Sequence, residues 1–351
     1  MNQEKCKTLH LFFSLEKVKA NNIQKETMIR KILPIVMVCA AFVGCKQAPK
    51  QVPTTYEPVA PKFSVDSAFS YIAKQCEFGP RVMNSAAHDS CGAWIAQKFE
   101  SFGGKVICQT ADLKLYDGTP IKSTNIIASF NVENPERIMI CSHWDSRPWA
   151  DQDDDESKHK TPIDGANDGA SGVGVLLELA RLIQQQAPSI GVDLICWDAE
   201  DCGTPSWEEN REESDRTWCL GSQYWAQHHH VDGYRARYGI LLDMVGGPKT
   251  VFKKELFSER NAPRLVDKVW GFAHSLGYGE FFKFEDGGYV TDDHLPVMQA
   301  GIPCIDVIGS SVNGGSFCHT WHTMLDNLQN IDKNTLNAVG TTVAEVVWCE
   351  K

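Results

Sequence analysis

The chain has 351 residues, 42% of them hydrophobic and 23% charged, an ordinary balance for a globular protein with a sizeable core. Its net charge of -11 argues against nucleic acid as a partner, because such binding depends on clustered Lys and Arg. The charge names no substrate.

Arg30-Lys31 stand before an apolar run from Ile32 to Val43, which ends in Gly44-Cys45. A basic start, a short apolar core and a small residue before a cysteine form the layout of an exported lipoprotein signal. The run is too short to cross a bilayer by itself, where ~20 residues are needed. The expected order is an upstream extension at 1–27 that is not part of the mature protein, then a signal peptide at 28–44 opening on Met28, then lipid on Cys45. An interior signal anchor is the alternative. Residues 45–62, rich in Pro, Gln, Lys and Thr, read as a tether, leaving 63–351 as the folded domain. The expected location is periplasmic, with the membrane reached only through the N-terminal lipid.

Phe63 to Gln75 reads as a helix capped by Ser64, with Ala68, Tyr71 and Ile72 on one face. Ser85 to Phe102 reads as a second, closed by Gly103-Gly104. Val106 to Leu115 and Asn125 to Asn131 alternate as paired strands. Ile138 to Cys141 is a continuous apolar run, suited to a strand buried on both faces, and from Ser171 a helical pattern continues to about Gln186. Buried strands follow at Val192 to Trp197 and Tyr238 to Leu242. A helix is expected from Ala262 to Leu276, with Asn261 as cap and Pro263 in its first turn. Ile302 to Ile308 is the last strand and Lys333 to Cys349 the last helix. Strands alternating with helices predict one α/β domain, a three-layer sandwich with a mostly parallel central sheet and helices on both faces.

Thirteen cysteines in an exported chain raise the question of disulfides. Cys141, Cys196 and Cys304 lie in apolar runs and read as small buried hydrophobes. Cys202 and Cys219 bracket the polar insertion from Gly203 to Trp218 and are the candidate pair. No pair of cysteines is spaced for a thiolate zinc site.

The chemistry gathers where strands stop. Five strand ends or nearby loops carry His143, Asp168, Glu200-Asp201, Asp243 and His322. Taken singly, an Asp after a strand is usually a turn former, a lone His structural and a Glu-Asp pair solvated. Five such sites at one edge of a sheet, where open α/β folds bind ligands, are harder to assign to chance. Mixed imidazole and carboxylate ligands suit zinc. Asp145, two residues past His143, is placed to orient that imidazole through its second nitrogen.

Ser142-His143-Trp144-Asp145-Ser146, Asn167 to Gly172, Trp197 to Asp201 and Leu242 to Gly246 resemble the motifs of the zinc-dependent aminopeptidase clan. Thr291-Asp292-Asp293-His294-Leu295-Pro296, then Gly301-Ile302-Pro303, then Trp321 to Asn327, resemble the glutaminyl cyclases of the animal type. The resemblance covers about residues 63–350. It implies an acyltransferase that converts the N-terminal glutamine of peptides and proteins to pyroglutamate and releases ammonia. It implies one zinc per chain on Asp168, Asp201 and His322, with Asp201 standing where the family usually has Glu. Glu200 matches the general acid/base, Asp243 and Asp292 its acidic partners, and Trp321 and Trp207 the pocket walls. In that arrangement Asp292 would link Asp243 to Glu200 by a short hydrogen bond. The runner-up is a two-zinc aminopeptidase, with His143 and Asp243 holding a second metal bridged by Asp168. A catalytically dead surface receptor is the third reading, and the intact Glu200 speaks against it.

Overall fold

The computed structural model describes residues 56–209, 214–314 and 317–351. The upstream extension, the signal at 28–44, Cys45 and most of the 45–62 tether lie outside the described residues, as do Glu212 and Glu213 of the polar insertion. In chain order the elements are α1 (Val65–Glu77), α2 (Ala86–Ser101), β1 (Lys105–Lys114), β2 (Pro120–Phe130), β3 (Arg137–His143), α3 (Ala170–Gln185), β4 (Gly191–Trp197), α4 (Leu220–Gln227), β5 (Gly239–Asp243), β6 (Thr250–Lys254), α5 (Leu256–Asn261), α6 (Pro263–Ser275), β7 (Phe282–Asp286), α7 (His294–Gln299), β8 (Cys304–Ser311) and α8 (Lys333–Trp348).

The sheet runs β1-β2-β4-β3-β5-β8-β6-β7. Its centre is parallel: β3 lies between β4 and β5, and β5 pairs with β8. The chain leaves β3 first to one side and then to the other, so the carboxyl end of β3 is a topological switch point, where open sheets form a crevice. Strand side chains alternate faces, and the core splits accordingly. Ile138 and Ile140 face a large cluster with α1, α2, α3, α6 and α8. Met139 and Cys141 face a smaller one with Trp225 of α4 and Val297 of α7. Helices therefore cover both faces of the sheet. Among the described residues no helix is long and apolar enough to cross a membrane.

Local signals explain several boundaries. Ser64 and Ser85 accept hydrogen bonds from the backbone N–H groups of Ser67 and His88, capping α1 and α2. Asn261 does not cap α6: it is the last residue of α5, its side chain accepts from the Cys304 N–H at 3.3 Å, and Ala262 precedes Pro263 without a side-chain cap. β2 begins at Pro120 rather than Asn125, because the turn closed by Leu115 N–H to Thr119 C=O starts pairing at once, Lys114 opposite Pro120. The candidate Cys202–Cys219 disulfide is absent, both cysteines being free.

α3 sits unusually close to the sheet at Gly172. A Cβ there would stand 2.5 Å from the Leu242 carbonyl oxygen. Alanine would gain about 1 kcal/mol of helix propensity, but overpacking against a fixed strand costs about 1–3 kcal/mol. Gly172→Ala is expected to cost up to about 2 kcal/mol, the difference between these terms, read as a lower urea midpoint at unchanged m; an unchanged or raised midpoint would show that α3 has room at this point.

Candidate active site

The carboxyl ends of the central strands deliver the site. β3 ends on His143, β5 ends on Asp243, and the turn after β4 carries Glu200 and Asp201. Asp168 comes just before α3 and His322 follows β8 on a loop. All six side chains are buried. Asp168 is shared by two trios whose ligand atoms lie within 4.8 Å of one another, Asp168, Asp201 and His322, and His143, Asp168 and Asp243, while Glu200 belongs to neither. His322 Nε2 is 3.0 Å from Asp201 Oδ1 and 3.7 Å from Asp168 Oδ2. His143 Nε2 is 3.0 Å from Asp168 Oδ1 and 3.2 Å from Asp243 Oδ1. Each Asp168 oxygen thus faces one imidazole.

The first trio fits a metal ion. Asp168 Oδ2 and Asp201 Oδ2 are buried and have no hydrogen-bond partner, a costly condition that a cation relieves. Two carboxylates and an imidazole are ordinary zinc ligands, and three protein ligands leave a position open for chemistry.

The supporting shell comes mostly from residues far away in the chain. Asp145 accepts hydrogen bonds from the N–H groups of Glu200 and Asp201, both at 3.1 Å. This braces the turn in which Ala199 takes a positive φ of 53°. Its distance to His143 Nδ1 is 3.5 Å, so Asp145 holds the turn more closely than it holds the imidazole. Asp326 accepts from the N–H groups of Asn167 and Asp168. Asp151 lies 3.5 Å from His322 Nδ1 and is gripped by Arg147 through two nitrogens. Arg147 also donates to the carbonyls of Asp201 and Gly203. None of Asp151, Asp326 and Arg147 was identifiable as functional from sequence. Asp326 sits four residues past His322 in a quoted motif, which was the one available signal.

Glu200 lies among other acids. Burial, joined by the charges of Asp201 and Asp292 against that of His143, raises its carboxyl well above the usual range. Burial also raises Asp243 to about 6, with His143 opposing, and Asp292 to about 7, with the Asp243 charge adding. Carboxyls raised in this way exchange their protons closer to neutral pH than free ones do. The expected Asp243–Asp292–Glu200 hydrogen bond is not formed. Asp243 turns to His143, and Asp292 accepts from the N–H of Asp293 at 2.6 Å. Asp292 is still within 4.8 Å of Glu200 and Cys219. The Cys219 thiol donates to Glu200 Oε1 at 3.4 Å, a contact no sequence pattern announces.

These groups open into a cavity of about 380 Å³. His322 is stacked with Trp321 at 3.9 Å and with Trp218 at 5.9 Å between ring centres. Both tryptophans line the cavity, and Trp207 does not. Trp218 takes the wall position expected of Trp207, and Trp207 packs outside on Trp149.

Comparison with known proteins gives this geometry relatives. The chain is similar to a Bacteroides thetaiotaomicron glutaminyl cyclase solved with N-acetylhistamine, at 54% identity and a TM-score of 0.81, over 83% of this chain and 100% of that one. It is similar to a Zn-dependent exopeptidase from Parabacteroides distasonis at 50% identity and a TM-score of 0.81, over 83% and 100% of the two chains. The glutaminyl-peptide cyclotransferase of Bos taurus is 26% identical over 61% of this chain, which spans 62% of that relative's length. Residues 125–347 match the profile of peptidase family M28, and they contain every ligand-type side chain described above. The match takes in more than half of the chain, and the protein belongs to peptidase family M28.

Proposed function

We propose that the site cyclises the N-terminal glutamine of peptides and proteins to pyroglutamate, making the protein a zinc-dependent glutaminyl cyclase. The observation that carries this is a second buried acid, Asp292, within 4.8 Å of Glu200. The similarity to solved bacterial cyclases along their full length supports it. The likeness of the 291–296 and 321–327 motifs to the animal-type enzymes is part of the same proposal.

The α-amine attacks the side-chain amide of its own residue, so holding one conformation supplies much of the rate. Asp168, Asp201 and His322 would hold the zinc, which supplies a Lewis acid to the amide carbonyl. Glu200 takes the proton from the attacking amine and returns it to the departing amide nitrogen. Its raised proton affinity suits a carboxyl that must carry a proton between two nitrogens near neutral pH. The Cys219 thiol fixes Oε1, leaving Oε2 as the working oxygen. Trp218 and Trp321 narrow the cavity against water, which would otherwise compete as nucleophile.

The two-zinc aminopeptidase remains as a second reading because the His143, Asp168 and Asp243 trio is assembled. One zinc per chain is the proposal. His143 Nε2 lies within hydrogen-bond reach of both carboxylates, and Asp145, Asp168 and Asp243 outweigh burial to raise its basicity. An Nε2–H shared between the two carboxylates occupies the position from which the imidazole would bind a second metal. For location, the proposal is an exported, periplasmic, membrane-anchored lipoprotein. Its support is the order of charge, apolar run and cysteine at residues 30–45.

Three outcomes are expected. Mass spectrometry of a Gln-initiated peptide should show loss of one ammonia, with metal analysis giving one zinc per chain; release of the first residue with two tightly held zincs would establish the aminopeptidase. Glu200→Gln should keep zinc and fold while turnover drops on the order of 10²-fold or more, and near-normal kcat would remove Glu200 from the mechanism. In fractionated cells the mature domain should follow the membranes and lack residues before Cys45. Recovery of an uncleaved chain from the cytosol would refute the anchor.

A further inference from the structure

Aromatic surface continues beyond the cavity. The buried Arg147 guanidinium carbon lies 4.5 Å from the ring centre of Trp218, a cavity wall, and 5.1 Å from that of Trp149. Trp149 is met edge-on by Trp207 and by Tyr116, both at 5.8 Å, with interplanar angles of 84° and 75°. Trp207 is 38% exposed, and Tyr116, Trp149 and Trp218 each keep part of their surface open. Lys160 Nζ stands 5.9 Å from the Trp207 ring centre.

Topology places this group on the substrate side of the molecule. Tyr116 belongs to the turn between β1 and β2. β2 runs antiparallel to β4, with Ile126 opposite Cys196 and Phe130 opposite Val192, so its Pro120 end projects past the carboxyl end of β4, the edge that carries Glu200. Trp149 stands two residues before Asp151, and the N–H of Gln152 donates to the His322 carbonyl at 3.0 Å. The aromatic group is therefore joined to the cavity wall at Trp218 by the Arg147 guanidinium and to His322 by the loop that supports it.

We infer that Tyr116, Trp149 and Trp207 form a binding ledge for an aromatic side chain in the peptide that follows the substrate's first residue. The inference rests on the cyclase reading only for the identity of that first residue. A cavity of about 380 Å³ closed by two tryptophans holds the reacting residue, and the rest of the peptide must leave by the mouth. An extended chain advances ~3.3–3.6 Å per residue, and each contact linking His322 to Trp207 is under 6 Å. Four such contacts put the near rings of the ledge within the span of an extended pentapeptide and its side chains, which makes positions two to five the ones to probe. Tryptophan and tyrosine offer a large rigid contact area at low entropic cost, and edge-to-face packing favours an aromatic guest. Were the three rings only packing for the insertion, their loss would alter stability and leave selectivity alone.

The test walks one phenylalanine through positions two to five of a Gln-initiated glycine pentapeptide. For the wild-type protein, kcat/KM relative to the all-glycine peptide should peak at one position, by about five-fold, the scale of one aromatic pair, and the gain should lie in KM. Trp207→Ala and Trp149→Leu should bring that ratio close to one. A flat profile in the wild type, or a ratio kept in both variants, overturns the ledge. Trp149 is partly buried, so Trp207→Ala, at an exposed ring and checked by its circular-dichroism melt, decides alone if the other variant misfolds. Glutaminamide separates the two claims: no pyroglutamamide formed from it by the wild-type protein, read by mass spectrometry because cleavage of its terminal amide would also release ammonia, overturns the cyclase reading. In that event the same walk, read as peptide affinity by calorimetry, still decides the ledge.

Discussion

Buried negative charge at one edge of the sheet is the constraint on which the rest of the structure depends. Asp145, Asp168, Glu200, Asp201, Asp243 and Asp292 are all buried there, and an unpaired buried carboxylate costs several kcal/mol. The fold meets that cost in several ways. His143 and His322 face the ligand carboxylates directly, and Arg147 serves Asp151 and the turn after β4. Backbone amides satisfy Asp145 and Asp326. The unpartnered oxygens of Asp168 and Asp201 are what remains for a cation, and so metal binding here is also folding energy.

The site also carries strained backbone. Positive φ values occur at Ala199, Met244 and His322, each at or next to a residue of the site. Non-glycine residues keep such conformations only when their surroundings hold them. Asp145 holds the turn containing Ala199 through two amides, and Gln152 holds His322 through its carbonyl. At these three points strands and loops turn polar side chains inward, while Asn84, Asn131 and Lys249 take positive φ in turns away from the site.

The two trios by themselves suit either cyclisation or aminopeptidase chemistry, so what surrounds Glu200 bears on the choice between them. His143, Asp168 and Asp243 suit a second ion as readily as a hydrogen-bonded imidazole. What singles out Glu200 is its company: Asp292, the Cys219 thiol and a cavity narrowed by Trp218 and Trp321. These neighbours govern how tightly a proton is held and whether water can enter.

Much of the fold was legible along the chain. The apolar runs at 138–141, 192–197 and 238–242 became β3, β4 and β5, because a strand buried on both faces needs unbroken hydrophobicity. Their polar ends placed His143, Glu200, Asp201 and Asp243 at one edge before any contact was known. Short β6, β7, α4, α5 and α7 escaped notice, being too brief to show a period. Asn261 looked like a cap for α6 until α5 was seen to end on it. By itself, then, the sequence determined which residue types stand at the strand ends and which segments bury. Only the tertiary structure decided the rest: that Asp326 serves Asp168, that Cys219 reaches Glu200, that Trp218 rather than Trp207 walls the cavity, and that Asp243 turns to His143 rather than to Asp292. The physical reason is that a strand's burial is written in adjacent residues, whereas the direction of a loop side chain depends on partners brought together only when the sheet closes.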